Sequence, residues 1–204
     1  MGIVLYTRRD SGGLAVEAAL AKAAAPYTLI DLDTTKGEHQ AAEFERINPM
    51  QQIPAMVLAD GSIMTESAAM IMHLADLYPD SGLAPRTGTP AHGTFLRWML
   101  FMATNIYEAD LRYAYPARYT TDPNGIEGLK EAAAMRMVRC FAVLETALDP
   151  WVAGKDLSIA DAYLAMLMAW SPVPPSGSRL KAVRSAVTSD PAYGPVWARH
   201  GFAA

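Results

Sequence analysis

Residues 51–67, QQIPAMVLADGSIMTES, combine a proline, two short apolar runs and an Asp-Gly pair. Proline has no backbone N–H, so Pro54 can stand only at the entrance, the edge or a bend of a strand. The Asp-Gly pair at 60–61 is typical of a two-residue hairpin turn, in which both central positions need positive φ. The stretch therefore predicts an antiparallel hairpin with strands over 56–59 and 62–64.

The elements before the hairpin alternate between strand and helix. Strands are predicted over 3–7 and 27–33, and an alanine-rich helix between them follows two glycines, runs to about Ala25 and is stopped by Pro26. A strand, a helix and a strand of this length form a βαβ unit with parallel strands. A weaker helix is predicted over 38–47.

A further helix follows the hairpin, with Thr65 as its expected cap and apolar residues at helical spacing. The predicted order over residues 1–77 is therefore β-α-β-α-β-β-α, which is a thioredoxin-like arrangement in the α/β class.

The chain changes character after this region. Residues 78–90 are rich in proline and glycine and form the clearest linker. Beyond them, over 91–204, the pattern is helical and no run indicates a strand, so an all-α domain is predicted. The pair Ser158 and Asp161 has the spacing of a capping box. The predicted helices cover 91–114, 127–148, 158–170, 179–188 and 191–200.

Composition excludes several classes of function. Charged residues make up 19% and the net charge is −4, which argues against a nucleic-acid partner. Apolar runs are broken well before ~18 residues, and no membrane span is expected. The single cysteine, Cys140, fits a reducing compartment, and we expect a cytoplasmic protein. The four histidines do not have metal-ligand spacing, so no metal site is expected.

The two ends of the hairpin segment each have two interpretations. If the bond before Pro54 is cis, Ile53 exposes its N–H and C=O to a peptide-like ligand; an ordinary turn proline is the alternative. Free N–H groups at the following helix start, with the Ser67 hydroxyl, attract an anion, while Glu66 can accept from an ammonium group. That pair of contacts suits an α-amino acid; plain capping is the alternative.

Two separated motifs resemble those of the soluble, cytosolic-type bacterial glutathione S-transferases, and the resemblance covers nearly the whole chain. The family carries Asn-Pro-x-Gly-x-Val-Pro-x-Leu, a hairpin and Glu-Ser at a helix start. Here NPMQQIPAMVLADGSIMTESAAMIMHL occupies 48–74, and DLSIADAYLAMLMAW at 156–170 is similar to the capping box of the family's second domain. The residues in register are Asn48, Pro49, Ile53, Pro54, Ala55, Met56, Glu66 and Ser67.

The resemblance implies a ligand, glutathione, as co-substrate. In the family the proline is cis, the residue before it pairs with the cysteinyl backbone of glutathione, and the Glu-Ser pair holds the γ-glutamyl end. Gln52 fits the position that contacts the glycyl carboxylate. The implied glutathione-binding residues are Gln52, Ile53, Pro54, Glu66 and Ser67.

The chain departs from the family pattern at two positions. Gln51 stands where the family usually has glycine, so the loop into the proline is expected to differ. Bacterial beta-class members carry a cysteine near the start of the first helix, where alignment puts Gly12. A hydroxyl or helix-start N–H groups would then stabilise the glutathione thiolate. The candidate catalytic residues are, in order, Ser11, Thr7 and Tyr6.

The resemblance also implies a second substrate with an apolar body and an electrophilic centre. Its pocket is expected on the first long helix of the all-α domain, although core packing is the alternative for about half of the residues named. A homodimer is implied as well. The predicted pocket residues are Met102, Asn105, Ile106, Tyr107 and Asp110.

The leading interpretation is a glutathione transferase that adds the thiolate to an electrophilic carbon, as in detoxification. The same thiolate would also serve a dehalogenase, an isomerase or a peroxidase. The missing cysteine keeps open a different class, a non-catalytic glutathione transferase-like module for binding or assembly. A thioredoxin-like redox protein is excluded because the chain has no Cys-x-x-Cys.

Overall fold

The computed structural model describes residues 2–202. The chain forms two compact units, Met1–Ala84 together with Thr188–Ala204, and Pro85–Val187. The predicted ranges, 1–77, a linker over 78–90 and 91–204, divide the chain differently, because the segment from Thr188 onward groups with the first unit. Met1 and residues 203–204, which fall in those ranges, lie outside the described residues.

The first unit is built on a four-stranded sheet of order β2-β1-β3-β4. Strand β1 is parallel to β2 and antiparallel to β3, and β3 is antiparallel to β4. This confirms the predicted parallel βαβ unit, the hairpin and the thioredoxin-like order of elements. The strands are β1 (Ile3–Thr7), β2 (Tyr27–Asp31), β3 (Ala55–Val57) and β4 (Ile63–Met64).

The helices of the first unit cover the sheet with apolar side chains. Helix α1 packs against β1, α3 and α9, and its Leu14 and Leu20 are fully buried together with Leu5 of the sheet. The helices are α1 (Gly13–Lys22), α2 (Ala42–Glu45), α3 (Ser67–Leu77) and α9 (Tyr193–Arg199). Short 3₁₀ turns occupy Thr34–Lys36 and Glu38–Gln40.

Helix α1 ends before the proline that was predicted to stop it. Ala24 has a left-handed φ of 49°. The N–H of Ala25 donates to the carbonyl of Leu20 at 3.1 Å and that of Ala24 to Ala21 at 3.1 Å. This is a Schellman closure, which ends a helix by itself. The prediction of a helix running to about Ala25 was therefore wrong.

Four further predictions of local structure need correction. The helix over 38–47 shrinks to α2, because the chain before it forms 3₁₀ turns. Strand β2 stops at Asp31, and β4 has only two residues. In the hairpin only Gly61 has a positive φ, 86°, and its N–H donates to the Leu58 carbonyl at 2.9 Å, so the loop is longer than a two-residue turn.

The second unit is helical, as predicted. Between α4 and α5 the helix continues as a π-helical segment, Met102–Tyr107, so the predicted helix over 91–114 is one interrupted rod. Helix α8 ends in the first unit. The helices are α4 (Pro90–Phe101), α5 (Glu108–Ala114), α6 (Ile126–Ala147), α7 (Ile159–Trp170) and α8 (Ser178–Ser189), with 3₁₀ turns at Pro116–Arg118 and Pro123–Gly125.

The predicted capping box of α7 is present. The Asp161 carboxylate accepts from the Ser158 N–H at 2.8 Å and from its hydroxyl at 2.9 Å. Its other oxygen accepts from the N–H of Val152 at 2.9 Å. The carboxylate thus joins the start of a buried apolar helix to the preceding loop. Among residues 2–202, no helix has both the length and the hydropathy that crossing a bilayer needs.

Candidate functional site

The bend at Pro54 leaves main-chain groups open at the entrance of β3. The peptide bond between Ile53 and Pro54 is cis, as the resemblance implies. The sheet ladder starts at Ala55, and within residues 2–202 no backbone hydrogen bond involves Ile53. Its N–H and C=O are therefore available to an extended ligand, which would add to the sheet as a short strand.

A buried side chain that the sequence did not single out for a role holds the loop before this bend. Asn48 is 4% exposed. Its Nδ2 donates to the Gln52 carbonyl at 2.7 Å, and its Oδ1 accepts from the Met50 N–H at 3.0 Å. Gln51 has a φ of 53°, in the left-handed region that glycine takes most easily. This explains why a glycine suits the position: glycine takes this conformation without backbone strain, whereas Gln51 takes it at a cost in conformational free energy.

The start of α3 lacks the expected cap. The helix begins at Ser67 with Glu66 as its N-cap, and no side chain caps it. Glu66 has a φ of 64°, an unusual conformation for a non-glycine residue, and its side chain is exposed. The prediction that Thr65 caps the helix was wrong, because this turn at Glu66 moves Thr65 away from the first helical residue. Glu66 thus does not cap the first-turn N–H groups, which lie where an anion would meet the helix start, beside the buried Ser67, 6% exposed.

The start of α1 packs closely against the end of β1. The Ser11 hydroxyl donates to the Arg8 carbonyl at 2.8 Å, and Ser11 Oγ accepts from the Gly13 N–H at 3.3 Å. Thr7 Oγ1 lies 3.3 Å from Ser11 Oγ and is fully buried. Ser11 itself is 7% exposed. The Ser11 hydroxyl is thus already engaged with the chain's own backbone.

Tyr6, the third candidate, has a packing role. Its ring lies 5.6 Å from the ring of Phe44, measured between centroids. Its backbone pairs with Ile30 on one side and Ala55 on the other. The catalytic assignment of Ser11, Thr7 or Tyr6 remains a prediction.

The sheet brings the predicted glutathione-binding parts to one end. Met56 lies opposite Met64, and Tyr6 lies opposite Ala55. Because these pairs are antiparallel, the end of β1, the entrance of β3 and the end of β4 share one edge of the sheet. The start of α1, the bend at Ile53 and the start of α3 follow directly from those strand ends.

The residues predicted for the second substrate lie in the second unit. Met102 and Ile106 are fully buried in its helical core, which leaves them little surface for a ligand. Asn105 is half-buried, and its Oδ1 accepts from the Arg136 guanidinium. The Tyr107 ring, also half-buried, lies 5.4 Å from that of Trp170. Asp110 is half-buried too, and a substrate role for these side chains stays a prediction.

Across the described part of the chain, no three His, Cys, Asp or Glu side chains lie close enough together to hold a metal ion.

Comparison with known proteins points to one family. Residues 1–76 match the family profile described as "Glutathione S-transferase, N-terminal domain". The chain is 29% identical over 173 residues to the uncharacterized GST-like protein YncG of Escherichia coli strain K12, covering 83% of this chain and 82% of the relative. It is 25% identical over 170 residues to the glutathione S-transferase GstA of Escherichia coli O157:H7, with 82% and 81% covered.

A solved structure agrees over almost the full length. The sphingomonad glutathione S-transferase complexed with glutathione has a TM-score of 0.81, is 25% identical, and is matched over 98% of this chain and 100% of that one. The family profile, the relatives and the fold agree with the motifs at the bend and at the α7 capping box. Residues 1–76 therefore match the N-terminal domain of the glutathione S-transferases, and the chain is similar along most of its length to bacterial members of that family.

Proposed function

We propose that this protein is a glutathione transferase, which binds glutathione, stabilises its thiolate and adds it to a small, hydrophobic electrophile. The observation that carries the proposal is the convergence at one edge of the sheet. There the unpaired main-chain groups of Ile53 lie at the same end as the uncapped start of α3 and the start of α1. The relative solved with glutathione supports the choice of ligand.

Each part of the edge has a function in this proposal. Ile53 pairs with the cysteinyl backbone as an added strand, and Gln52, held by Asn48, contacts the glycyl carboxylate. Ser67 and the first-turn N–H groups of α3 bind the γ-glutamyl carboxylate, while Glu66 accepts from its ammonium group. Pro54 keeps the bend at the strand entrance.

Ser67→Ala is expected to weaken glutathione binding about tenfold, because a hydroxyl bond to a carboxylate contributes ~1.5 kcal/mol or more. The dissociation constant is measured by isothermal titration calorimetry. Ser62→Ala is the matched control, since Ser62 lies in the turn at the opposite end of the hairpin and should leave affinity unchanged. Equal affinity of the wild type and Ser67→Ala would remove this residue from the binding site.

Ser11→Ala is expected to lower turnover with a standard electrophile at least tenfold, a step of ~1.4 kcal/mol, with glutathione affinity nearly intact. The hydroxyl would have to turn from the Arg8 carbonyl, to which it donates at 2.8 Å, toward the sulfur. Turnover is measured under saturating glutathione. If it does not change, the function passes to Thr7, Tyr6 or the backbone donors, which Thr7→Val and Tyr6→Phe then separate.

A non-catalytic binding module is the second candidate, and Gly12 at the family's cysteine position favours it. The two are separated by the ultraviolet absorbance of the glutathione thiolate, followed against pH in the bound state. A bound thiol that titrates in its ordinary range, near ~8.5, supports the module. A lowered thiol pKa supports the transferase, and also the dehalogenase, isomerase and peroxidase variants of the same chemistry.

The proposal extends to the setting of the reaction. We place it in the cytoplasm, which suits the single cysteine Cys140, and in a homodimer, as the resemblance implies. Light scattering across a concentration series tests the dimer. The half-buried Asn105, Tyr107 and Asp110 are the proposed electrophile contacts, and substitutions there should change the Michaelis constant for the electrophile alone.

A further inference from the structure

A buried ion cluster ties the end of the first unit to helix α1. Glu17 is 2% exposed, and both its oxygens accept from Arg199 Nε, at 2.8 and 2.9 Å. His200 Nε2 lies 2.9 Å from Glu17 Oε2. Arg199 Nη1 also reaches Asp31 at 2.9 Å, so its charge has two carboxylate partners.

The hydrogen bonds determine the state of the imidazole. The backbone N–H of Asp10 donates to His200 Nδ1 at 3.2 Å. Nδ1 must therefore be unprotonated, and the ring proton sits on Nε2, from which it is donated to Glu17. Burial raises the pKa of Glu17, but the hydrogen bonds from His200 and Arg199 outweigh it and hold the pKa below its ordinary value. Glu17 is thus an ionised acceptor.

The group held by His200 belongs to the loop before α1. Asp10 has a φ of 53°, a left-handed conformation that costs free energy in a non-glycine residue and persists only when its surroundings hold it. Ser11 follows directly, and its hydroxyl and backbone begin the helix at the proposed thiolate site. His200, which accepts from Asp10 and donates to Glu17, connects this loop to the body of α1.

We propose that His200 is a positioning residue for the glutathione thiolate: by accepting the Asp10 N–H it keeps the loop from Arg8 to Gly12, and with it the start of α1, in the geometry that stabilises the sulfur. The inference rests on the proposed transferase function. His200 lies 190 positions from Asp10 in the chain and outside both sequence motifs, so the sequence alone does not indicate this function.

Two substitutions separate the two hydrogen bonds of the imidazole. His200→Asn places an amide oxygen at the position of Nδ1 and keeps an acceptor for Asp10, while it gives up the contact with Glu17. His200→Gln places an amide nitrogen at the position of Nε2 and keeps the donor to Glu17, while it gives up the acceptor for Asp10. A function in stability alone would follow the buried Glu17 contact, whereas a positioning function follows the Asp10 contact.

The experiment measures three quantities on the wild type and both variants: the dissociation constant of glutathione, the apparent pKa of its bound thiol from thiolate absorbance, and turnover with a standard electrophile. In His200→Gln we expect the bound-thiol pKa to rise by about one unit and turnover to fall about tenfold, with glutathione affinity within about twofold of the wild type. In His200→Asn the pKa of the bound thiol should stay close to its lowered wild-type value. Equal thiol pKa values in the wild type and His200→Gln, or equal losses in both variants, would overturn the proposal.

A second measurement needs no variant to fold. The ¹⁵N shifts of the His200 ring in the wild type should show an unprotonated Nδ1 and a protonated Nε2, with the Asp10 amide slow to exchange. The opposite tautomer, or a rapidly exchanging Asp10 amide, would refute the contact on which the inference stands. Failure of the proposed function is distinct, because the wild type itself would then bind no glutathione or leave its thiol unactivated.

Discussion

Gly13→Ala should destabilise the protein by roughly 3 kcal/mol, at the upper end of the cost of overpacking a buried site. A Cβ at position 13 would lie 1.8 Å from Thr7 Oγ1 and 2.7 Å from Thr7 Cβ. Thr7 is fully buried at the end of β1, so it cannot move aside without displacing the strand. Either the helix or the strand must shift, and the start of α1 loses its position.

The free energy of unfolding in urea measures this effect. Gly128→Ala in α6 is the matched control, because Gly128 is an exposed helical glycine with no atom within 4 Å of the added Cβ. That change should stabilise the protein by up to ~1 kcal/mol through helix propensity. If both variants moved stability in the same direction, the close approach of α1 and β1 would be disproved. Turnover of Gly13→Ala should also fall, since Ser11 shares the same contact.

Asp161→Ala should cost roughly 3–5 kcal/mol, because it leaves three buried donors without an acceptor. These are the N–H groups of Val152 and Ser158 and the Ser158 hydroxyl. The start of α7, whose Ile159 is fully buried, would lose both its cap and its tie to the preceding loop. Glu127→Ala, at the exposed start of α6, is a control that should change stability by less than ~0.5 kcal/mol. A loss no larger than the control's would contradict the structural importance of the cap.

The same carboxyl group predicts a pH dependence. Burial raises the pKa of Asp161 to about 6 from 3.8, against the hydrogen bonds that lower it. The folded protein then holds the proton more tightly than the unfolded chain. The group's contribution to stability is complete below the unfolded value and is lost as pH rises to about 6, a total of about 3 kcal/mol. The difference in unfolding free energy between the wild type and Asp161→Asn should fall by about that amount between pH ~4 and ~7, and a constant difference would refute the shift.

The elements that follow local rules could be read from the chain. The capping box at Ser158 and Asp161 needs only three residues of spacing, and β1 needs only a run of β-branched and aromatic side chains. The short length of α2 could not be predicted from the sequence. The weak helical pattern over 38–47 gave no sign that the chain before α2 forms 3₁₀ turns, which Asp33 and Gly37 cap. The end of α1 was not predicted correctly either, because Ala24 takes a left-handed conformation that alanine seldom adopts.

The binding motif was likewise readable only in part. Ile53, Pro54, Glu66 and Ser67 stood out by residue type and by the resemblance. Asn48 was visible in the motif, but the hydrogen bond from its side-chain amide to the Gln52 carbonyl was not, since a side-chain contact depends on a loop conformation that includes Gln51 at positive φ.

By itself the amino-acid sequence determined the order of the elements, the family resemblance and the segments that we propose to meet a ligand, because periodicity and motif spacing are properties of neighbouring residues. Only the tertiary structure decided which groups remain unpaired at Ile53, which carbonyl the Ser11 hydroxyl already satisfies, and that His200 accepts from Asp10 across most of the chain's length. Hydrogen bonds between residues far apart in sequence form only when the sheet and the packing of α1 bring them together, and no local pattern records that distance.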